Sequence, residues 1–232
     1  AGRYGGLLSA LETSPEDAWA YRRWGVQALV AQGRYAEASN YALSVIWKVQ
    51  GHSDSRNPTD AKIAADCERI LLDAGQFEAA YAGFAIRARL YAPPRVALDA
   101  IRKTYPDIGP ARIFDDLVAW RGEWIEECFN VGMEAGLFDQ AVRFGVASPV
   151  PPPMLIAAAQ MLRERDAGLA AAAALAALDD MANSGVGASS EAEIVLTFGI
   201  AIECGRELGL EDEIRQFIAD KLTDEERAGR DD

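Results

Sequence analysis

The stretches DCERILLDAGQF at 66–77 and ECFNVGMEAGLF at 127–138 align without a gap. Each opens on an acidic residue and a cysteine, runs through an apolar-periodic segment, and closes on Ala-Gly-x-Phe (Ala74, Gly75, Phe77; Ala135, Gly136, Phe138). An alanine follows the aromatic three residues on in both copies, Ala80 and Ala141, and GRYAEA at 33–38 repeats the same turn. Asp166-Ala167-Gly168-Leu169 and Leu208-Gly209-Leu210 read as weaker copies. Glycine after a last helical turn takes the left-handed conformation that ends a helix without a Cβ penalty. The aromatic is placed to pack back on the first helix, and the small alanine lets the second helix approach closely. The chain is therefore read as all-α, built from antiparallel helix–turn–helix pairs. One such pair cannot bury its apolar face alone, so neighbouring pairs must stack into an α-solenoid.

Working outward, helix punctuation is dense. Ser14-Pro15-Glu16-Asp17 supplies an N-cap, a proline at the first helical position and acid in the first turn, opening a helix to about Gln32. A second helix is expected from Tyr35 to about Trp47, then a polar loop from Gln50 to Asp60. Thr59 is placed to cap the next helix, which ends at Gly75, and its partner is expected to run unbroken to about Tyr91 before Pro93 and Pro94. Further helices are expected over about 95–104, 110–121, up to Ala135, to Val146, 154–166, 169–182, from a capping box at Ser190–Glu193 to Gly209, and over 211–222, with a frayed tail from Asp224. Pro149 and Pro151–Pro153 mark the break between repeats over 1–148 and a C-terminal helical segment over 149–232 on the same array.

Composition narrows the function classes. A net charge of −13 leaves no clustered Lys and Arg for a phosphate backbone, and the expectation is no nucleic acid and no anionic membrane. Lys48, Lys62, Lys103 and Lys221 are the lysines, and arginine supplies the rest of the 23 cations. That bias, with abundant alanine, is the composition of a GC-rich bacterial genome. Cys67, Cys128 and Cys204 show neither CxxC nor Cys/His metal spacing, which points to buried thiols in a reducing compartment and a cytoplasmic location. A start at Ala1 also fits signal cleavage, and then a periplasmic one. No long uncharged apolar run reads as a transmembrane helix. No metal and no cofactor is expected.

The Gly-x-aromatic-x-x-Ala turns at Gly33/Tyr35/Ala38, Gly75/Phe77/Ala80 and Gly136/Phe138/Ala141 resemble the tetratricopeptide family. The resemblance implies a right-handed α-solenoid and a concave groove, lined by first helices, that binds another protein. Counting six and ten residues back from each turn glycine implies a lining of Gln27 and Arg23, Arg69 and Ala65, Asn130 and Glu126. The family's Lys/Asn pair for a C-terminal carboxylate is missing. The function implied is a non-enzymatic interaction module or accessory subunit, with another protein or subunit as partner and a homo-oligomer as one form.

Other constellations carry less. His52, the only histidine, adjoins Ser53 and Asp54 on one loop, and adjacent loop residues do not converge as a hydrolase triad must. The 183–189 loop (NSGVGAS) precedes a capped helix but follows no strand and no Lys-[Ser/Thr], so neither nucleotide fingerprint applies. The same loop, the long apolar helix after it and the Leu-Gly turn are similar to the closing segment of α/α-toroid enzymes. That alternative implies a cavity lined by Asp115, Asp116, Trp120, Trp124 and Glu126. Trp120 and Trp124 would then share one helix face, while tryptophans including Trp19, Trp24 and Trp47 are expected in the core. The 170–174 alanine run gives a thin helix for close packing, in the core or against another subunit.

Overall fold

A computed structural model describes residues 2–13, 19–50, 58–120, 124–183 and 190–228. Every regular element among them is helical, with no strand. The Ser14–Asp17 cap, the Gln50–Asp60 loop with His52 (apart from Gln50 and residues 58–60), the 184–189 glycine loop and the last four residues of the tail lie outside the described residues.

The chain forms two compact units, Ala1–Gly109 and Pro110–Asp232. The first holds α1 (Gly2–Thr13), α2 (Trp19–Ala31), α3 (Tyr35–Gln50), α4 (Pro58–Asp73), α5 (Phe77–Ala80) and α6 (Pro94–Thr104). Helix α5 passes into a π-helical turn, Tyr81–Ala85, and a 3-10 turn, Arg87–Arg89. Within this unit α2 packs on α3, α3 on α4, and the outer members of the pairs touch, α2 with α4 and α3 with α5.

The second unit holds α7 (Pro110–Trp120), α8 (Ile125–Glu134), α9 (Phe138–Ala147), α10 (Pro152–Leu162), α11 (Ala167–Asn183), α12 (Glu191–Leu208) and α13 (Glu211–Ala228). The pairs α8/α9, α10/α11 and α12/α13 follow one another, with α9 against α11, α11 against α13 and α10 against α12. Alanine dominates the contact: Ala170, Ala171, Ala173, Ala174 and Ala177 are buried in one core with Phe129, Leu155 and Ile200. Methyl side chains let helix backbones close to short distances, as the alanine run implies.

The turns behave as their sequence requires. Gly75 and Gly136 have φ of 71° and 73°, and Gly33 and Gly209 match them. In each, the glycine N–H donates to the carbonyl three residues back and the next N–H donates five back: Gly75 to Leu72 and Gln76 to Leu71, Gly136 to Met133 and Leu137 to Gly132. This closed pair of bonds satisfies carbonyls that a helix end otherwise leaves orphaned. The alanine five residues after the glycine then donates to the residue that follows the glycine, Ala80 to Gln76 and Ala141 to Leu137. Gly209 makes the same elbow with Leu210 and Ile214, so this copy is complete in its backbone.

Several expectations are corrected. Asp166–Leu169 is not a glycine elbow: Asp166 Oδ1 accepts from the Leu169 N–H at 3.0 Å, and Gly168 lies inside α11. An aspartate acceptor at a helix start serves as an N-cap, which needs no left-handed residue. The helix after the 51–57 segment begins at Pro58, so Thr59 lies in its first turn and is not its cap. Proline suits that first position because its missing N–H would be unpaired there anyway. The partner of α4 is not an unbroken α-helix to Tyr91 but turns π-helical and then 3-10, for a reason given below. Pro149 and Pro151–Pro153 do not mark a boundary: Val150 and Leu155 are buried in the core of the second unit, and the chain divides after Gly109. Proline fits there because Pro152 and Pro153 open α10. Helix α1 has no clear sequence signal, because its glycines weaken the apolar period. Helix α3 runs on to Gln50, and α13 runs to Ala228, past the expected ends at 47 and 222. Phe77 is 58% exposed and does not pack back, whereas Phe138 joins the core of the second unit.

Candidate functional site

In the first unit each of the two first helices, α2 and α4, keeps one side exposed. On α2, Arg22, Gly25, Val26 and Leu29 are buried, so the opposite side carries Ala20, Trp24 and Ala31, flanked by Arg23 and Gln27. On α4, Ile63, Cys67, Ile70 and Leu71 are buried, leaving Lys62, Ala65, Arg69 and Asp73 outward. The Trp19 indole Nε1–H donates to Asp66 Oδ2 at 2.9 Å and ties the two helices together. Arg69 lies 3.6 Å from Asp66 and 3.6 Å from Asp73, and is itself half-exposed. Of the residues expected in a groove, Arg23 and Gln27 lie toward the exposed side of α2, and Ala65 and Arg69 lie on the exposed side of α4. Arg23 and Gln27 are half-buried, and Arg23 Nε is shielded from solvent without a hydrogen-bond partner. In the second unit Glu126 and Asn130 are both exposed on α8.

Tryptophan placement differs from expectation. Trp24 is 54% exposed and Trp120 is 42% exposed, so neither is a core residue. Trp24 stands on a helix face where a wide indole has no neighbouring helix to cover it. Gly25 beside it is where packing occurs, since a Cβ there would stand 2.7 Å from the Tyr41 ring. Trp120 and Trp124 do not share a helix: Trp120 ends α7, and Trp124 is the N-cap residue of α8 with φ −100°. The side chain of Trp47 lies outside what is described.

Asp115 is exposed and Asp116 lies 3.8 Å from Arg112, one turn away on α7. The second unit does contain an open cleft of about 430 Å³, lined by residues of α9, α10, α11, α13 and the 148–150 segment. Asp115, Asp116, Trp120, Trp124 and Glu126 are not among its lining. Among the described residues no group of three His, Cys, Asp or Glu side chains is placed to hold a metal ion. No helix among them is long and apolar enough to cross a membrane. The three cysteines are buried and free, and burial pushes the Cys67 thiol well above the usual range, with Asp66 adding to it.

One polar cluster escapes a reading of the sequence. Glu68 is 6% exposed and accepts from Arg89 Nη1 at 2.8 and 3.0 Å and from the Tyr105 hydroxyl at 2.7 Å. Arg89 Nη1 also donates to the Ala85 carbonyl at 2.8 Å. Burial, then the bond to Glu68, pushes the Tyr105 phenol far above its ordinary value. The Tyr81 ring meets the Tyr105 ring edge-on at 5.3 Å. The π-helical and 3-10 turns after α5 explain themselves here: the extra residue per turn re-aims the chain so that Arg89 faces α4. A signal existed, since Glu68 sits beside Cys67 and three residues before Leu71, on the apolar stripe of α4. Its partners, 21 and 37 positions away, had none. The cluster fastens the end of the α5 segment and the residue after α6 to α4. Its acceptors and donors pair with one another, which is a structural role.

Comparison with protein-family models and with curated proteins returns no match for this chain.

Proposed function

We propose that the chain is a tetratricopeptide-like interaction module that docks another protein on the outer face of its first helices. The observation that carries this reading is Trp24, 54% exposed on α2 and set beside Gln27, with Lys62 and Arg69 on the helix that Trp19 ties to it. An exposed indole among amide and cationic groups, on two helices held in fixed register, is the make-up of a protein-contact hot spot. The small Ala20 and Ala65 keep the face low enough for a partner segment to lie on it. Right-handed stacking of the pairs into a solenoid belongs to the same reading.

Photo-crosslinking tests it. A benzophenone side chain replaces Gln27 or Ala65 in the source cells, and Asn40 on α3 as the control. The expected result is a discrete adduct from positions 27 and 65 that disappears with Trp24→Ala and is absent from position 40. The reading is overturned by equal adducts from both faces, or by adducts insensitive to Trp24→Ala.

A further inference from the structure

Helix α12 buries Thr197, Ile200, Ala201 and Cys204 on one side. On the other side Ala192, Val195, Leu196 and Gly199 stand at i, i+3, i+4 and i+7, the spacing of a single helix face. Val195 is 64% exposed and Leu196 is 40% exposed. Ile194 and Phe198 leave further apolar surface open beside Val195. A Cβ on Gly199 would meet nothing within 4 Å, so another backbone has room to approach there. Neighbouring apolar side chains left open to water in this way mark an interaction surface.

Farther along, the same side of the helix turns acidic. Glu203 and Glu207 are exposed, and neither has a salt-bridge partner among the described residues. Arg206 between them is held by Glu211, to which its Nε and Nη2 donate at 2.9 and 3.1 Å. The second unit, Pro110–Asp232, contains 24 of the 36 acidic residues and 10 of the 23 basic ones, a net charge of −14. Two such units repel each other, which argues against a second copy as the occupant. An antiparallel pairing of two such helices about position 197 would also set Glu203 of one copy toward Glu191 of the other. We propose that α12 docks an amphipathic helix of a basic partner protein. The partner's apolar stripe lies on Ala192, Val195, Leu196 and Gly199, and its Lys or Arg side chains meet Glu203 and Glu207. From 192 to 207 the face is about 23 Å long, which a partner helix of about 15 residues spans. This surface does not rest on the docking face proposed for the first unit.

A labelled helical peptide of that length, with a leucine stripe and lysines elsewhere, probes it beside a twin carrying glutamate for lysine. Fluorescence anisotropy is read with the full chain at physiological salt. The expected result is saturable binding of the lysine peptide and binding of its twin weaker by about tenfold or more. Glu203→Lys with Glu207→Lys weakens the lysine peptide by about tenfold. Glu127→Lys with Glu164→Lys makes the same charge change at exposed positions off α12 and alters binding by less than about twofold. Gly199→Leu and Val195→Asn each weaken binding by about fivefold, with the helical circular dichroism of the parent retained. Equal weakening by the two charge reversals overturns the proposal, as does indifference to Gly199→Leu and Val195→Asn, or a failure to saturate. A sedimentation mass that doubles with concentration and reverts with Val195→Asn assigns the face to a second copy and overturns it too.

Discussion

Arg89 Nη1 lies within 3.0 Å of both carboxylate oxygens of Glu68, although 21 positions separate the two residues. Their side chains are 16% and 8% exposed, so the pair sits where water does little to screen it. Removing one partner strands the other charge, which costs more than the pair contributes over an apolar replacement. Glu68→Ala is expected to destabilise the first unit by about 3–5 kcal/mol, and Glu68→Leu with Arg89→Met to recover most of that loss. Urea unfolding of the two variants beside the parent chain decides it. Equal loss in the single and double variants would show that the charge pair is not the cause.

The Tyr105 phenol gives the same cluster a pH signature. Its folded value is raised from an ordinary 10.0, by burial first and by the bond to Glu68 second. A raised value favours the protonated form in the folded chain. The stabilisation is therefore complete below pH 10 and is lost as pH climbs from there toward the folded value. The expected outcome is a fall in the urea midpoint above pH 10 that is shallower in Tyr105→Phe. Parallel curves for the two proteins would count against this.

The elbow glycines separate from ordinary helical ones by sign. At Gly136, with φ 73°, a Cβ is strained whatever the space around it, and Gly136→Ala is expected to cost about 1 kcal/mol or more. Gly199 lies inside α12 and a Cβ there meets nothing within 4 Å. Gly199→Ala is expected to raise stability by about 0.5–1 kcal/mol. Thermal melts of the two variants should move in opposite directions.

The last elbow sets a larger side chain against its helical glycine. Where α8 and α9 meet through Gly132 and Ala141, α12 and α13 meet through Gly205 and Ile214, whose Cδ1 would be 2.6 Å from an added Cβ. Gly205→Ala is expected to destabilise by about 1–3 kcal/mol through overpacking. Ile214→Val removes that methyl, so the double variant should lose less than the two singles together. Strict additivity in a double-mutant cycle would refute the contact.

The fold was legible to the extent that its signals are local. The elbows at Gly33, Gly75 and Gly136, the Ser190–Glu193 capping box and the buried alanines of α11 all rest on residues within a turn or two of one another. Gly168 misleads because a glycine near a helix start looks like one past a helix end until the Asp166 cap is seen. The positions Arg23, Gln27 and Arg69 follow from counting back along a helix, and none of them is buried. Trp24 reads as a core residue and is not one, because exposure depends on which neighbour arrives beside a helix.

By itself the sequence determined most of the helices, the left-handed stops at Gly33, Gly75 and Gly136, and the pairing of the helices on either side of them. Those depend on backbone conformations that each residue type either permits or penalises on the spot. Only the tertiary structure decided that Glu68 meets Arg89 and Tyr105, that the chain divides after Gly109, and that Phe217 lines a cleft with alanines of α11. Such meetings are set by how whole helices settle against one another. Apolar burial drives that settling without regard to direction, so no short stretch of residues encodes it.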